Sequence, residues 1–303
     1  MNFLASDELH GRGSATRDEH LAALFAASQF QALGLEPGGD SGTFVQKAAL
    51  PDPLPPHLQQ RLSKFEDIPR KETWNAVAIL RGSSASDQVI LLTAHLDHLG
   101  MAATGSGDTT FNGADDDASG TTAVLTLAHM LASGPRPKRT IVFALFGSEE
   151  IGGYGNRAFL AHPPVPLSEI IANLEFEMIG RPDSSVPAGT LWLTGFERSN
   201  LGPELAKHGA HIVNDPHPKE QFFQRSDNYA LARQGIIAQT VSSFGLHHDY
   251  HQTSDEVRTI DFAHMTNAIN SMIAPIRWLA NSGFKPEWNA GGNPKTNPPA
   301  SSH

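Results

Sequence analysis

Apolar residues in this chain follow two rhythms. Six stretches are near-continuous apolar runs rich in Val, Ile and Leu: residues 74–81 (WNAVAILR), 88–95 (QVILLTAH), 139–146 (RTIVFALF), 170–176 (IIANLEF), 190–194 (TLWLT) and 235–241 (GIIAQTV). Runs of this length suit strands buried on both faces. Between them the apolar positions recur every three or four residues. Residues 18–34 carry Leu21, Leu24 and Phe25 and end at Gly34, a helix with a glycine stop. Further helical patterns cover 119–132, about 155–161, 199–208 and 226–233. The longest, 260–280, lines up Phe262, Met265, Ile269, Met272, Ile273, Ile276 and Leu279 on one face. Strands alternating with helices predict an α/β sandwich around a mixed, mostly parallel sheet. Residues 48–58 hold four prolines and are expected as a surface loop. No repeat or linker divides the chain, so 1–283 is expected to be a single domain. Residues 284–303 lack periodicity and are expected to form a loosely ordered tail.

Composition narrows the classes. The chain has 303 residues, 39% hydrophobic and 18% charged, an ordinary globular balance able to bury one sizeable core. A net charge of −10 argues against a nucleic-acid partner, which demands a basic face. No apolar run approaches the roughly 18 residues of a membrane helix, so no membrane partner is expected. No basic segment followed by an apolar one opens the chain, so no signal peptide is expected in it. The absence of cysteine excludes disulfides, thiolate metal sites and a thiol nucleophile, and leaves the compartment open. With 15 histidines available, any metal site must be built from His, Asp and Glu.

Open α/β sheets collect ligands beyond the carboxyl ends of their strands. The 88–95 strand ends in His95, with Asp97 two residues on. The 139–146 strand is followed by Glu149 and Glu150, and the 170–176 strand runs through Glu175 into Glu177. The loop after the His95 strand carries Asp115, Asp116 and Asp117 before a helix, and the 235–241 strand leads to His247, His248, Asp249, Tyr250 and His251. Any one such residue is ordinarily a cap or a solvated loop residue. Five clusters on one sheet edge are not, because crowded carboxylates resist ionisation unless a cation joins them. Oxygen and imidazole donors without thiolate fit zinc, and also manganese or cobalt. Competing chemistries lack their motifs. There is no GxSxG elbow and no HExxH helix, and GRGSAT (11–16) lacks the third glycine of a dinucleotide fingerprint.

AHLDHLG (94–100), NGADDDASGTTAV (112–124), FGSEEIGGYGNRAF (146–159), NLEFEMIGR (173–181) and DYHQTSDEV (249–257) occur in that order. Together they resemble the co-catalytic di-zinc exopeptidase family of bacterial leucine aminopeptidases, glutamate carboxypeptidase II and glutaminyl cyclase. FLASDELHGR (3–12) and FFQRSDNYA (222–230) are similar to its bacterial aminopeptidase branch, so the resemblance covers about residues 3–282. It implies a three-layer α/β/α sandwich of the zinc-exopeptidase, phosphorylase-hydrolase-like kind. It also implies an exported protein, two zinc ions per chain and a peptide substrate. Oligomeric state is left open.

By the same resemblance, His95 and Glu177 would hold one zinc, Glu150 and His251 the other, and Asp116 would bridge them. The Asp116–Asp117 peptide would be cis. Glu149 would be the general base acting on a metal-bridging water, Asp97 would orient the His95 ring, and Tyr250 would polarise the scissile carbonyl. Asp117 is a candidate for the substrate's ammonium. Glu175 shares a face with Glu177 and is the alternative ligand. His98, His247 and His248 are expected to be solvated or supporting, Asp115 and Asp117 to cap the following helix, and Ser226 to cap the next. The family's aminopeptidases commonly have Asp where this chain has Glu177, which leaves cutting direction less fixed than metal binding. A carboxypeptidase would need a cation for the terminal carboxylate, and among the motif loops only Arg181 and Arg225 offer one. The expected activity is aminopeptidase. A carboxypeptidase and a one-zinc glutaminyl cyclase are the alternatives.

Overall fold

The computed structural model describes residues 1–296. Its main sheet contains β1 (Glu36–Pro37), β2 (Val45–Ala49), β3 (Glu72–Leu80), β4 (Ala85–His95), β7 (Arg139–Phe146), β8 (Ile170–Phe176), β9 (Leu191–Leu193), β10 (Ile212–Asn214) and β11 (Ala238–Ser242). A small ribbon pairs β5 (Gly100–Met101) with β6 (Thr110–Phe111). The helices are α1 (Arg17–Ala32), α2 (Pro56–Leu62), α3 (Gly120–Ala132), α4 (Tyr154–Ala161), α5 (Leu201–Lys207), α6 (Asn228–Ala232) and α7 (Phe262–Asn281).

The sheet runs β1-β3-β7-β4-β8-β11-β9-β10, with β2 paired beside β3. Its centre, β7-β4-β8-β11, is parallel, while β3 and β9 join it antiparallel. Both faces are covered. Ile90, Leu92 and Ala94 of β4 and Ile141, Phe143 and Leu145 of β7 point into a core shared with α1, α3, α5 and α7. Val89, Leu91, Val142, Ala144 and Phe146 point the other way, onto Phe159 of α4 and Leu231 and Ala232 of α6. This alternation inside an unbroken apolar run makes the three-layer α/β/α sandwich.

Local signals place the helices. Thr16 caps α1 by accepting from the Asp18 and Glu19 amides, and Asp261 caps α7 by accepting from the His264 amide. Two stretches differ from the expectation. The proline-rich segment is not all loop, since Pro56, a residue that fits a first helical turn, begins α2. Residues 284–296 lie along the domain instead of hanging free. Trp288 pairs with Ser199 and donates from Nε1 to the Gly235 carbonyl at 2.9 Å, and the Asn289 amide donates to the Arg198 carbonyl at 2.8 Å. The rest of the expected tail, 297–303, lies outside the described residues. Among the described residues no helix is long and apolar enough to cross a membrane.

Candidate metal centre and active site

Strands β7, β4 and β8 end at one edge, and the loops that follow them converge there. Buried Arg12 ties these loops together. Its Nε donates to the Leu96 carbonyl (2.9 Å), Nη1 to those of Asn112 (2.6 Å) and Leu4, and Nη2 to that of Gly113 (3.0 Å). Gly11, at φ +67°, lets the chain pass so close that any side chain would strike the Phe111 and Gly100 carbonyl oxygens. The HGRG stretch therefore has a structural cause, which is to brace the edge.

Two nests of donor atoms form on this brace. In the first, His95, Asp116 and Glu177 bring one donor each to a common point. His95 Nε2 lies 3.1 Å from Asp116 Oδ1. The other ring nitrogen, Nδ1, meets the main-chain oxygen of Asp97 at 3.1 Å, while the Asp97 carboxylate stands 3.7 Å away. That carboxylate does other work than the expected one. It accepts from the Glu149 amide (3.0 Å), the Glu150 amide (3.3 Å) and Ser14 Oγ (2.6 Å), holding the turn that carries both glutamates. Glu19 holds the same turn from the far side, accepting from Ser148 at both its amide and hydroxyl, from the Ala15 and Trp74 amides and from Thr73 Oγ1. Glu175 faces away from the nest and accepts from the Asn228 amide at 2.6 Å and Thr240 Oγ1 at 3.2 Å.

In the second nest, His251 Nε2 lies 3.2 Å from both Asp116 Oδ2 and Glu150 Oε1. The two oxygens of Asp116 thus face different nests. The Asp116–Asp117 peptide is cis. Asp117 is fully buried and accepts from the His95, Gly120 and Met178 amides at 3.0–3.2 Å. It accepts from the first amide of α3, next to the N-cap residue Ser119. Asp115 is not a helix cap. It accepts from the Gly180 amide (2.7 Å) and pairs with His247 Nε2 (2.9 Å). His248 is exposed. Asp227, not Ser226, occupies the N-cap position of α6.

Two further residues join the second nest. His98, expected to be solvated or supporting, is fully buried, with Nδ1 3.0 Å from Glu150 Oε1. Arg61 of α2 donates from Nη2 to Glu150 Oε2 at 2.8 Å. A small apolar cluster seats α2 there, packing Leu58 and Leu62 against Ile151, the neighbour of Glu150. No motif marks residues 51–71, so only tertiary packing reveals this arginine. Arg181, meanwhile, holds the His251 loop through Asp249 Oδ2 at 2.7 Å.

The electrostatics are those of a site held together by opposite charge. Burial alone would raise Asp116, but the rings of His251 and His95 hold it well below the ordinary carboxylate range. Burial opposes charge on His251, yet Asp116 and Glu150 push it up to about 10. Burial pushes Glu149 well up, opposed by His95 and reinforced by Asp227, Glu150 and Glu177. Buried Glu150 Oε1 and both ring nitrogens of His98 lack any hydrogen-bond partner. Orphaned buried polar atoms are costly, and a dication would satisfy Glu150 Oε1 and one ring nitrogen of His98. The donor set of imidazoles and carboxylates fits zinc, with Asp116 shared.

A small pocket opens beside Glu177. Met178, Trp192, Phe222, Phe244 and Tyr250 line it, with Arg225 at its side. Tyr250 stacks on the His251 ring at 3.9 Å between centroids, and the Arg225 guanidinium lies 4.9 Å over the Phe222 ring.

Fold and site together are those of a known peptidase family. The chain belongs to peptidase family M28, whose family model matches residues 75–275. A vacuolar membrane protease of Clavispora lusitaniae is 29% identical over 170 residues, which is 56% of this chain and 14% of that much longer protein. Among solved structures, a zinc aminopeptidase from Bacillus subtilis superposes with a TM-score of 0.69 at 15% identity, covering 93% of each chain. Glutaminyl cyclase of Porphyromonas gingivalis superposes with a TM-score of 0.63 at 16% identity, covering 91% of this chain and 94% of its own. At these identities the superpositions speak for the fold alone.

Proposed function

We propose that this chain is a two-zinc aminopeptidase that removes the N-terminal residue of peptides, with an apolar first residue preferred. The observation that carries the reading is Asp116, whose two oxygens each meet a different nest. A carboxylate divided in this way could serve two ions at once. His95 and Glu177 would complete one site, and Glu150 and His251 the other. Bound zinc would supply a Lewis acid for the peptide carbonyl and would bring the pKa of water down to roughly 7.

The chain's own residues do the rest. Glu149 follows β7 on the turn held by Asp97 and Glu19, and His95, Glu150 and Glu177 are its charged neighbours. A carboxylate there takes a proton from water and returns it to the departing amine. The stacked Tyr250 forms part of the pocket wall and can donate its hydroxyl proton toward a developing oxyanion. The aromatic pocket takes the first side chain. Asp227, a buried charged neighbour of Glu149 and Glu177 that neither nest uses, has an unpartnered carboxylate oxygen, which favours a free ammonium at the substrate's end. A carboxypeptidase would need Arg225 for the terminal carboxylate.

Leucyl-anilide should be cut by the zinc-loaded protein and its N-acetylated form should not. Trimming of N-blocked peptides from the C-terminus, abolished by Arg225→Ala, would reverse the direction.

A further inference from the structure

His98 belongs to no role assigned so far. Its ring is fully buried, and neither nitrogen has a hydrogen-bond partner. Nδ1 lies 3.0 Å from Glu150 Oε1 and 3.8 Å from Asp116 Oδ2, yet it makes no acceptable hydrogen bond to either. The backbone fixes the residue in place. The His98 amide donates to the Arg12 carbonyl, the Ser14 amide donates to the His98 carbonyl, and the ring fills the space where Gly113 would carry a side chain. His251 approaches the same two oxygens from its own side, 3.2 Å from each, with its ring 5.6 Å from that of His98 and tilted by 67°.

These spacings have a simple geometric meaning. Zinc bonds of about 2.0–2.1 Å in a tetrahedron place neighbouring donor atoms about 3.3–3.4 Å apart. The donor separations here are 3.0, 3.2, 3.2 and 3.8 Å, scattered around that value. A ring that merely donated a hydrogen bond to Glu150 would point its N–H along the line to the oxygen, and this one does not. Building on the two-zinc reading, we propose that His98 is a protein ligand of the second metal site. His98, Asp116 and Glu150 bring one donor each to a common point, and His251 faces the same two oxygens from its own side.

The test counts ions and imidazoles, not turnover. The metal-free protein and its His98→Gln and His251→Ala variants are titrated with zinc and with cobalt(II), with circular dichroism as the check on folding. Wild type should bind two ions. His98→Gln should keep the first and lose affinity for the second by more than about 100-fold, beyond the 10–100-fold typical of a supporting hydrogen bond. The visible spectrum of cobalt in the second site should change as its coordination changes. Unchanged affinity and spectrum in folded His98→Gln would overturn the proposal, as would an affinity loss confined to the supporting range. X-ray absorption of the zinc-loaded wild type decides the matter without any variant. Three imidazoles over two ions support His98 as a ligand, and two imidazoles refute it. Wild type binding fewer than two ions would instead defeat the two-zinc reading itself.

Discussion

The two nests share Asp116 and little else. The first is built on strand ends. His95 closes β4, Glu177 follows directly on β8, and Asp117 staples the two strands by accepting from the His95 and Met178 amides. The second is built on loops. Glu150 sits in the turn after β7, His251 in a long loop with 28% of its side chain exposed, and His98 in the bend after β4. Its rigidity is borrowed from Arg12, Arg61, Arg181, Asp97 and Glu19, none of which is a donor to either nest. Sites on regular elements are placed by the sheet, and sites on loops need a supporting shell.

That contrast can be broken experimentally. The largest effect should come from the shared residue. Asp116→Ala should remove both ions and reduce hydrolysis to the rate of buffer, as read by metal content and leucyl-anilide turnover. Retention of one tight ion would mean that the nests do not depend on a common carboxylate. Next is Glu149→Gln, which keeps the size of the side chain and removes its basicity. Hydrolysis should fall by about 10²–10⁴-fold with both ions retained. Loss of an ion instead would exchange the roles of Glu149 and Glu150. The smallest effect should be asymmetric. Arg61→Ala frees Glu150 Oε2 and should weaken the second site by about 10-fold without touching the first. Calorimetric titration resolving the two binding steps checks this, and an equal weakening of both would deny the separation.

The same contrast explains what the sequence made legible. The strands and the three layers were readable because the apolar runs of β4, β7 and β8 are long and uninterrupted. Strand-end donors such as His95 and Glu177 could be located by counting from those runs. Glu150, Asp116 and His251 were found by their resemblance to spaced motifs, and the structure places the five in two adjoining nests that share Asp116. His98 was read as solvated or supporting, because a histidine three residues past a strand end has the pattern of a solvated loop. Its burial comes from Gly113 and Arg12, far from it in sequence. Arg61 was missed because α2 has no chemical motif and is seated only by Leu58, Leu62 and Ile151. Asp97 was read as orienting the His95 ring; its main-chain oxygen meets that ring, and its carboxylate also holds the turn after β7. Spacing shows that it lies near His95, and only coordinates show its oxygens turned to the Glu149 and Glu150 amides.

The central claim is that hydrolysis requires two ions held around one carboxylate. It is tested most directly by stripping the protein of metal and adding zinc back in steps, with bound ions counted and leucyl-anilide hydrolysis followed in the same samples. The account predicts no hydrolysis without metal and the full rate only as the second ion per chain is bound. Full activity after exhaustive metal removal, or a plateau reached with one ion per chain, would contradict it.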